Sequence, residues 1–181
     1  DSPSVLVAMN PAALKANLHE MPDGADLIIN TDEFTKRNLD KVGYTENPLE
    51  DGSLDKYRVH AVGLTSLTVD ALKDFDLTRK EAERSKNMFA LGLLSWLYSR
   101  PTETAKNFLN AKFAKKPEIL AANLRALEAG WSFGETTETF SVQYEVKPAP
   151  AAAGEYRNIS GNLALSYGLI AGAQAANLPL Y

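Results

Sequence analysis

The 181-residue sequence contains no cysteine and only two histidines. Disulfide bridges, iron–sulfur ligation by this chain and cysteine nucleophiles are therefore excluded. His19 and His60 lie far apart in the sequence, and neither adjoins a group of acidic residues at ligand spacing, so we expect no metal site. An excess of positive charge is also lacking, because the formal net charge is -4. This charge argues against nucleic acid or a membrane surface as a partner.

Long apolar runs are missing as well. The most apolar stretch, residues 88–98, is interrupted by Ser95 and is shorter than the ~20 residues that cross a bilayer. The first residues lack the basic start and apolar segment of a signal peptide. We therefore expect a cytoplasmic protein with no membrane segment. The 45% hydrophobic content is enough to build a sizeable core.

The first 62 residues alternate between strand-like and helix-like patterns. Residues 5–9 are continuously apolar, which predicts a parallel strand in the interior of a sheet. Asn10 and Pro11 then predict a helix start. Further strands are expected at residues 27–29 and 57–62, with a helix at about 33–41 between them. The alternation predicts an α/β fold whose parallel sheet has helices on both faces.

A predominantly helical insertion is expected after the third strand. Thr68 is predicted to cap a short helix over residues 69–73, and a long buried helix is predicted over residues 79–98. Two amphipathic helices should follow at residues 102–113 and 118–129. Gly130 and Gly134 are expected to end the second of them. Gly92 lies inside the long helix, which indicates close packing against another element.

The last part of the sequence indicates a domain boundary. Residues 140–146 alternate between apolar and polar side chains, which predicts a strand. Residues 147–157 are rich in proline and alanine and are predicted to form an extended linker. Ser160 is expected to cap a last helix, and residues 178–181 resemble the beginning of a further strand.

Polar residues follow the first two predicted strands. Asn10 ends the first, and Asn30, Thr31 and Asp32 end the second. The carboxyl ends of parallel strands form the usual ligand crevice, and the following helix starts favour an anion there. We therefore predict that Asn10, Asn30 and Thr31 contact a cofactor. The alternative is that Asn10 and one of Thr31 or Asp32 only cap helices.

A glycine-rich phosphate loop is also absent. Dinucleotide-binding domains need glycines after the first strand and an acidic residue ~20 positions later. Asp32 has a suitable position, but the turn before it reads Asn-Pro-Ala-Ala. Either no such site exists, or its glycine loop belongs to a strand before residue 1. From the residues alone we expect an α/β domain without a catalytic constellation of its own, forming part of a larger assembly.

Several stretches of the sequence together resemble one protein family. The relevant stretches are "VLVAMNPAALKANL", "IINTDEFTKRNL", "NPLEDGSLDKYRV", "RSKNMFALGLLSWLYSRP", "KFAKKPEI", "AGWSFGETTE" and "YRNISGNLALSYGL". Together they resemble the alpha subunits of the 2-oxoacid:ferredoxin oxidoreductases, of the type that acts on 2-oxoglutarate. The resemblance covers nearly the whole chain.

The resemblance implies an enzyme that oxidatively decarboxylates a 2-oxoacid to an acyl-coenzyme A and passes electrons to ferredoxin. Thiamine diphosphate, Mg²⁺, an iron–sulfur cluster and coenzyme A are implied for the whole enzyme, but no cofactor is expected within this chain alone. The implied partners are the rest of the alpha subunit, a beta subunit and ferredoxin.

The resemblance also implies a domain assignment. Residues 1–146 would be a Rossmann-like gamma-type domain that lacks its first strand and glycine-rich loop. Residues 158–181 would begin the thiamine-diphosphate pyrimidine-binding domain. The chain ends before the family's active-site stretch, so no catalytic residue is carried over, and this fragment is expected to serve assembly rather than turnover. The alternatives are a free-standing nucleotide- or coenzyme A-binding module and a purely structural interaction domain.

Overall fold

A computed structural model describes residues 3–140, 142–147 and 150–179 of the chain. The chain divides into two compact units, Asp1–Val146 and Lys147–Tyr181. The described part of the first unit contains a sheet of three strands: β1 (Val5–Ala8), β2 (Asp26–Asn30) and β3 (Arg58–Val62). The strands are parallel and lie in the order β1-β2-β3. The predicted parallel α/β architecture is confirmed.

The described strands differ in their burial. In the described sheet β1 lies at one edge and is only partly buried, whereas β2 is central and buried along its whole length. An apolar run shows that the two faces of a strand are covered, but it does not show whether a neighbour pairs with each edge. For that reason the composition of β1 could not distinguish an interior strand from an edge strand.

Helices cover both faces of the sheet, as predicted. On one face, α1 (Pro11–Asn17) and α2 (Lys36–Lys41) contribute Leu14 and Leu39 to a core that includes Leu27 and Ile29. On the other face, Ile28 packs with side chains of α5 (Lys86–Leu97). Successive residues of β2 point to opposite faces, so this one strand supplies both cores.

Two helix starts in the first unit are not where the sequence predicts them. Helix α2 begins at Lys36 because Thr31–Glu33 form a 3₁₀ turn and Thr35 caps the helix. Helix α3 (Leu64–Ala71) begins before Thr68. Thr68 is buried inside it, and its hydroxyl donates to the carbonyl oxygen of Leu64 at 2.6 Å. The prediction that Thr68 caps a helix is therefore wrong.

The predicted long helix over residues 79–98 is divided. It consists of α4 (Arg79–Glu83), which starts with a capping box at Thr78 and Glu81, and α5, which starts at Lys86. Two further helices follow, α6 (Glu103–Phe113) and α7 (Pro117–Thr136).

Gly130 and Gly134 lie inside α7 rather than ending it. A Cβ atom on Gly130 would overlap the carbonyl oxygen of Phe89, and one on Gly92 would overlap that of Leu127. Helices α5 and α7 therefore approach each other backbone to backbone at two reciprocal glycines. The close packing predicted for Gly92 is present, and the helix-ending role predicted for the other two glycines is wrong.

The described residues between 140 and 147 form neither strand nor helix, and residue 141 lies outside the described residues. The predicted strand is therefore absent from the described part of this segment. Its backbone bonds to the end of a helix instead: the amide of Tyr144 donates to the carbonyl oxygen of Leu97 at 2.6 Å. An alternating pattern shows which side chains are covered, but a helix end can cover them as well as a neighbouring strand.

The described part of the second unit contains one helix, α8 (Gly161–Ala176), whose start is capped by the side chain of Ser160. Residues 147 and 150–157 form no helix or strand. Of the predicted final strand, residues 178 and 179 have no regular structure, and residues 180 and 181 lie outside the described residues. Within the described parts of the chain, none of the helices has both the length and the apolar character to cross a membrane.

Candidate functional site

The three strands end at the same edge of the sheet, because they are parallel and in register. Asn10 follows β1, Thr31 follows β2, and Gly63 follows β3. The structure therefore places the predicted cofactor-binding residues at the carboxyl edge, where ligands of α/β proteins commonly bind.

Asn10 acts as the N-cap of α1. Its backbone is extended, and its side-chain oxygen accepts a hydrogen bond from the amide of Ala13 at 2.8 Å. Pro11 occupies the first helical position, where its missing N–H leaves no donor unsatisfied. The helix-start prediction is confirmed, and the Asn10 side chain already has a structural partner.

Asn30 connects all three segments at this edge. It is fully buried, and its amide nitrogen donates to the hydroxyl of Thr65 at 3.0 Å and to the carbonyl oxygen of Met9 at 3.4 Å. Its side-chain oxygen accepts from the amide of Thr65 at 3.4 Å. Asn30 thus satisfies buried polar groups from the end of β1 and the start of α3, which is a structural role.

Thr31 and Asp32 differ in their environment. Thr31 begins the 3₁₀ turn and is partly buried. The carboxylate of Asp32 accepts hydrogen bonds from the amide of Ser66 at 2.8 Å and from its hydroxyl at 2.5 Å. An acidic side chain at the first turn of α3 stabilises that helix through its exposed amides and its dipole.

These contacts change the expectation of an anion site. The helix starts after β1 and β2 were expected to offer free amides, but the side chain of Asn10 caps α1 and that of Thr35 caps α2. Asp32 occupies the start of α3 instead. A bound phosphate at α3 would lie beside the carboxylate of Asp32, which repels it. Of the three predicted contact residues, Thr31 keeps the greatest capacity to meet a ligand, because Asn10 and Asn30 are engaged in the fold.

A second polar cluster lies at the opposite end of the sheet. Asp26 is the first residue of β2 and is 6% exposed. Arg58, its register partner on β3, donates to both carboxylate oxygens, with Nε at 2.9 Å and Nη2 at 2.7 Å. The hydroxyl of Tyr144 donates to Oδ2 at 2.7 Å, and Nε2 of His60 lies 2.8 Å from Oδ1. Four donor groups therefore surround one buried carboxylate.

The electrostatics of this cluster follow from its geometry. The hydrogen bonds from Arg58 hold the pKa of Asp26 far below its usual range, and those from His60 and Tyr144 act in the same direction against the effect of burial. The hydrogen bond to Asp26 also raises the pKa of the Tyr144 phenol. Asp26 is therefore a buried anchor that is ionised at neutral pH.

Asp26, Arg58 and Tyr144 are not among the site residues predicted from the sequence. The sequence feature that could have identified the cluster is the charge of Asp26 at the beginning of an otherwise apolar strand, because a buried carboxylate needs a paired cation. The partners could not be named, because Arg58 and Tyr144 lie far along the sequence from Asp26 and are brought together only by the fold.

The described residues offer no grouped ligands for a metal ion. Among the described residues, no three histidine, cysteine, aspartate or glutamate side chains are grouped to hold a metal ion. With no cysteine in the sequence, the chain has no thiolate for an iron–sulfur cluster. The donor set present therefore does not fit such a cluster.

A parallel sheet with helices on both faces and polar residues at its carboxyl edge defines a Rossmann-like α/β domain. Residues 1–133 match the pyruvate ferredoxin/flavodoxin oxidoreductase family, and the chain belongs to that family.

Two curated relatives support this assignment. The chain is 57% identical over 180 residues to the 2-oxoglutarate oxidoreductase subunit KorA of Mycobacterium tuberculosis, covering 99% of this chain and 28% of the relative. It is 27% identical over 117 residues to the alpha subunit of 2-oxoacid:ferredoxin oxidoreductase 1 of Aeropyrum pernix, covering 64% of this chain and 18% of that subunit. The chain thus spans less than a third of the length of these relatives.

A solved structure shares the fold. It is a 2-oxoglutarate:ferredoxin oxidoreductase from Magnetococcus marinus with 2-oxoglutarate, coenzyme A and succinyl-CoA bound. The TM-score is 0.58 at 24% sequence identity, and the match covers 82% of this chain and 23% of the other. At that identity the likeness concerns the fold alone.

Proposed function

We propose that this chain forms part of the alpha subunit of a 2-oxoacid:ferredoxin oxidoreductase. The enzyme would oxidatively decarboxylate 2-oxoglutarate, join the acyl group to coenzyme A and pass the two released electrons to ferredoxin. The observation that carries the proposal is the 57% identity to KorA over 99% of the chain.

We assign this chain a role in assembly rather than in the chemical step. Thiamine diphosphate, when bound, supplies the carbanion chemistry of the enzyme, and the iron–sulfur cluster carries electrons. We place both groups, with Mg²⁺, on the remainder of the alpha subunit and on a beta subunit. The basis is the donor set: the sequence has no cysteine, and the described residues contain no metal-ligand group.

The activity is tested with the full-length alpha subunit purified together with its beta subunit. Under anaerobic conditions, reduction of ferredoxin is followed by absorbance with 2-oxoglutarate, with pyruvate, and with coenzyme A omitted. We expect reduction that needs both 2-oxoglutarate and coenzyme A. A preference for pyruvate would contradict the substrate assignment, and no reduction with any 2-oxoacid would contradict the enzymatic function itself.

A coenzyme A contact at the carboxyl edge of the sheet is a second part of the proposal. Its support is the common position of Asn10, Asn30 and Thr31 after β1 and β2. Thr31 would supply the side-chain contact, while Asn10 and Asn30 would hold the edge in place through their internal hydrogen bonds. Thr31→Val removes the side-chain hydroxyl and keeps the shape of the side chain. Asn10→Asp is a second variant at this edge, and it keeps a side-chain oxygen to cap α1. If the edge contacts the coenzyme, Thr31→Val raises the KM for coenzyme A while kcat changes little.

A binding measurement with the same variant addresses the alternative of a free-standing nucleotide- or coenzyme A-binding module. In that case the 181-residue chain alone binds coenzyme A or NAD in a calorimetric titration, and Thr31→Val weakens the binding. The internal hydrogen bonds of Asn10 and Asn30 favour the assembly role over this alternative.

A further inference from the structure

Residues 139–146, which we call the strap, form the last segment of the first unit. Residue 141 lies outside the described residues, and the strap is defined by the contacts of the others. Phe140 is buried and stacks on the ring of His60, with ring centroids 4.5 Å apart. Tyr144 stacks on Tyr98 at 5.3 Å, and its carbonyl oxygen accepts from the hydroxyl of Ser99 at 3.0 Å. The strap is therefore docked on the first unit although its described residues form no helix or strand.

One side chain joins the strap to the buried anchor. His60 lies on β3, and its side chain is 13% exposed. Its Nε2 lies 2.8 Å from Oδ1 of Asp26, and its Nδ1 lies 3.0 Å from the carbonyl oxygen of Thr139. The imidazole thus bridges β2 and the first residue of the strap.

Both partners of this imidazole are hydrogen-bond acceptors. A backbone carbonyl can only accept, and an ionised carboxylate can only accept. A neutral imidazole carries a single N–H, so it can satisfy just one of them, whereas the protonated ring donates to both. The two contacts are therefore simultaneous hydrogen bonds only when the ring carries two protons.

Charged and titratable groups from β2, β3 and the strap lie around this ring and its carboxylate partner. Asp26 on β2 contributes a negative charge that persists at all ordinary pH values, since Arg58 and Tyr144 stabilise its ionised form. Arg58 on β3 carries a positive charge near the ring, but its guanidinium is paired with both oxygens of the same carboxylate. Tyr144 on the strap meets Asp26 as a neutral donor.

We propose that His60 is a proton-dependent clasp that holds the strap to the amino end of the sheet. With both ring nitrogens protonated, the clasp joins Asp26 to Thr139 and keeps Phe140 seated. When one proton leaves, one of the two acceptors loses its donor, and the beginning of the strap is released. The device does not depend on the enzymatic role proposed above.

The test is hydrogen–deuterium exchange of the full-length subunit, read in peptides that cover residues 139–147 and corrected for intrinsic exchange rates. We expect protection in the strap to fall about tenfold or more between about pH 5 and about pH 8, the range in which histidine commonly changes charge. Peptides from α5 serve as an internal reference, because they report the integrity of the core. Equal corrected protection at both pH values would overturn the proposal.

The two histidines provide a matched pair of variants. His19 is exposed, with 73% of its side chain accessible, so His19→Gln is expected to keep the wild-type pH profile. His60→Gln cannot donate to both acceptors from a charged ring, and its strap should exchange rapidly and equally at both pH values. A pH profile in His60→Gln that matches the wild type would sink the idea. If His60→Gln fails to fold, Tyr144→Phe, which leaves the clasp intact, must retain the pH dependence, and its loss there would equally count against the clasp.

Discussion

At the scale of single residues, Asp26 has the largest expected effect on stability. Its carboxylate is buried and accepts from Arg58, His60 and Tyr144. Removing the charge leaves Arg58 without its partner and weakens four hydrogen bonds at once. Breaking a buried pair of this kind costs about 3–5 kcal/mol, and the partial exposure of Arg58 places the loss at the lower end of that range.

The variant Asp26→Asn tests this estimate. We expect the free energy of unfolding, measured by urea denaturation, to fall by about 3 kcal/mol, since the amide retains the shape but not the charge. Asp23→Asn is the matched control, because Asp23 forms an exposed ion pair with Lys56 at 2.8 Å. Exposed pairs contribute about 0–1 kcal/mol. Equal effects of the two substitutions would show that the buried cluster adds no stability of its own.

The same carboxylate predicts how stability depends on acid. Its pKa is lower in the folded chain than in the unfolded chain, where an aspartate titrates near about 3.9. Its contribution is therefore fully present above that value and declines as the pH falls below it. Between about pH 6 and about pH 3, urea midpoints should drop more for the wild type than for Asp26→Asn. Parallel curves would contradict this sign.

At the scale of elements, the contact between α5 and α7 is the most constrained. Gly92 and Gly130 each face a backbone carbonyl of the other helix, and the ring of Trp96 lies against Gly134. Backbone atoms cannot move aside as the end of a flexible side chain can. The close packing of the two helices therefore requires glycine, which has no Cβ atom, at these positions.

Gly130→Ala tests this packing. The added methyl must push the helices apart, and overpacking of this kind costs about 1–3 kcal/mol, which exceeds the gain of up to about 1 kcal/mol in helix propensity. We expect a lower melting temperature by circular dichroism. Gly168→Ala in α8 is the control, because nothing lies within 4 Å of a Cβ atom there, and it should not lower the melting temperature. Unchanged melting of Gly130→Ala would indicate that the helices can separate without cost.

These elements also show what could be predicted from sequence. Strand and helix alternation, the cap at Asn10 and the cap at Ser160 depend on neighbours in the sequence, and each was predicted. Gly130 was misassigned because a glycine that ends a helix and one that admits another helix look the same without the second helix. The strap was misassigned for a related reason, since the end of α5 rather than a strand covers its apolar side chains.

The candidate site could be predicted in position but not in detail. Parallel strands place Asn10 and Asn30 at one edge whatever their neighbours are. Their hydrogen bonds to Ala13 and Thr65 appear only in the fold and give both side chains structural partners. Their contact with a cofactor stays a prediction. The cluster around Asp26 went unpredicted because its partners come from β3 and from the strap.

At the scale of the whole molecule, the chain consists of two compact units joined near residue 147. Residues 150–157 are exposed and lack helix or strand. Proteases cut where a stretch of backbone can adapt to their active site, which favours exposed segments without regular hydrogen bonding. The domain assignment of residues 1–146, 147–157 and 158–181 remains a prediction, and proteolysis can test it directly.

Limited digestion with trypsin is expected to cut first after Arg157, whose side chain is exposed and bonded only locally to Glu155 at 2.6 Å. Elastase should cut among the alanines at residues 151–153. Mass spectrometry would then show a product that ends within residues 151–157, and its circular dichroism should keep the melting transition of the uncut chain. Arg157→Gln is the control, because it removes the tryptic cut and leaves the elastase cut in place. First cuts at Lys115, in the exposed turn between α6 and α7, would mean that this turn is cleaved more readily than residues 150–157.

The strap precedes residues 150–157 and is bonded to α5 and β2, so we expect the fragment to retain it. Its retention would place the end of the folded unit after Tyr144 rather than at the end of α7.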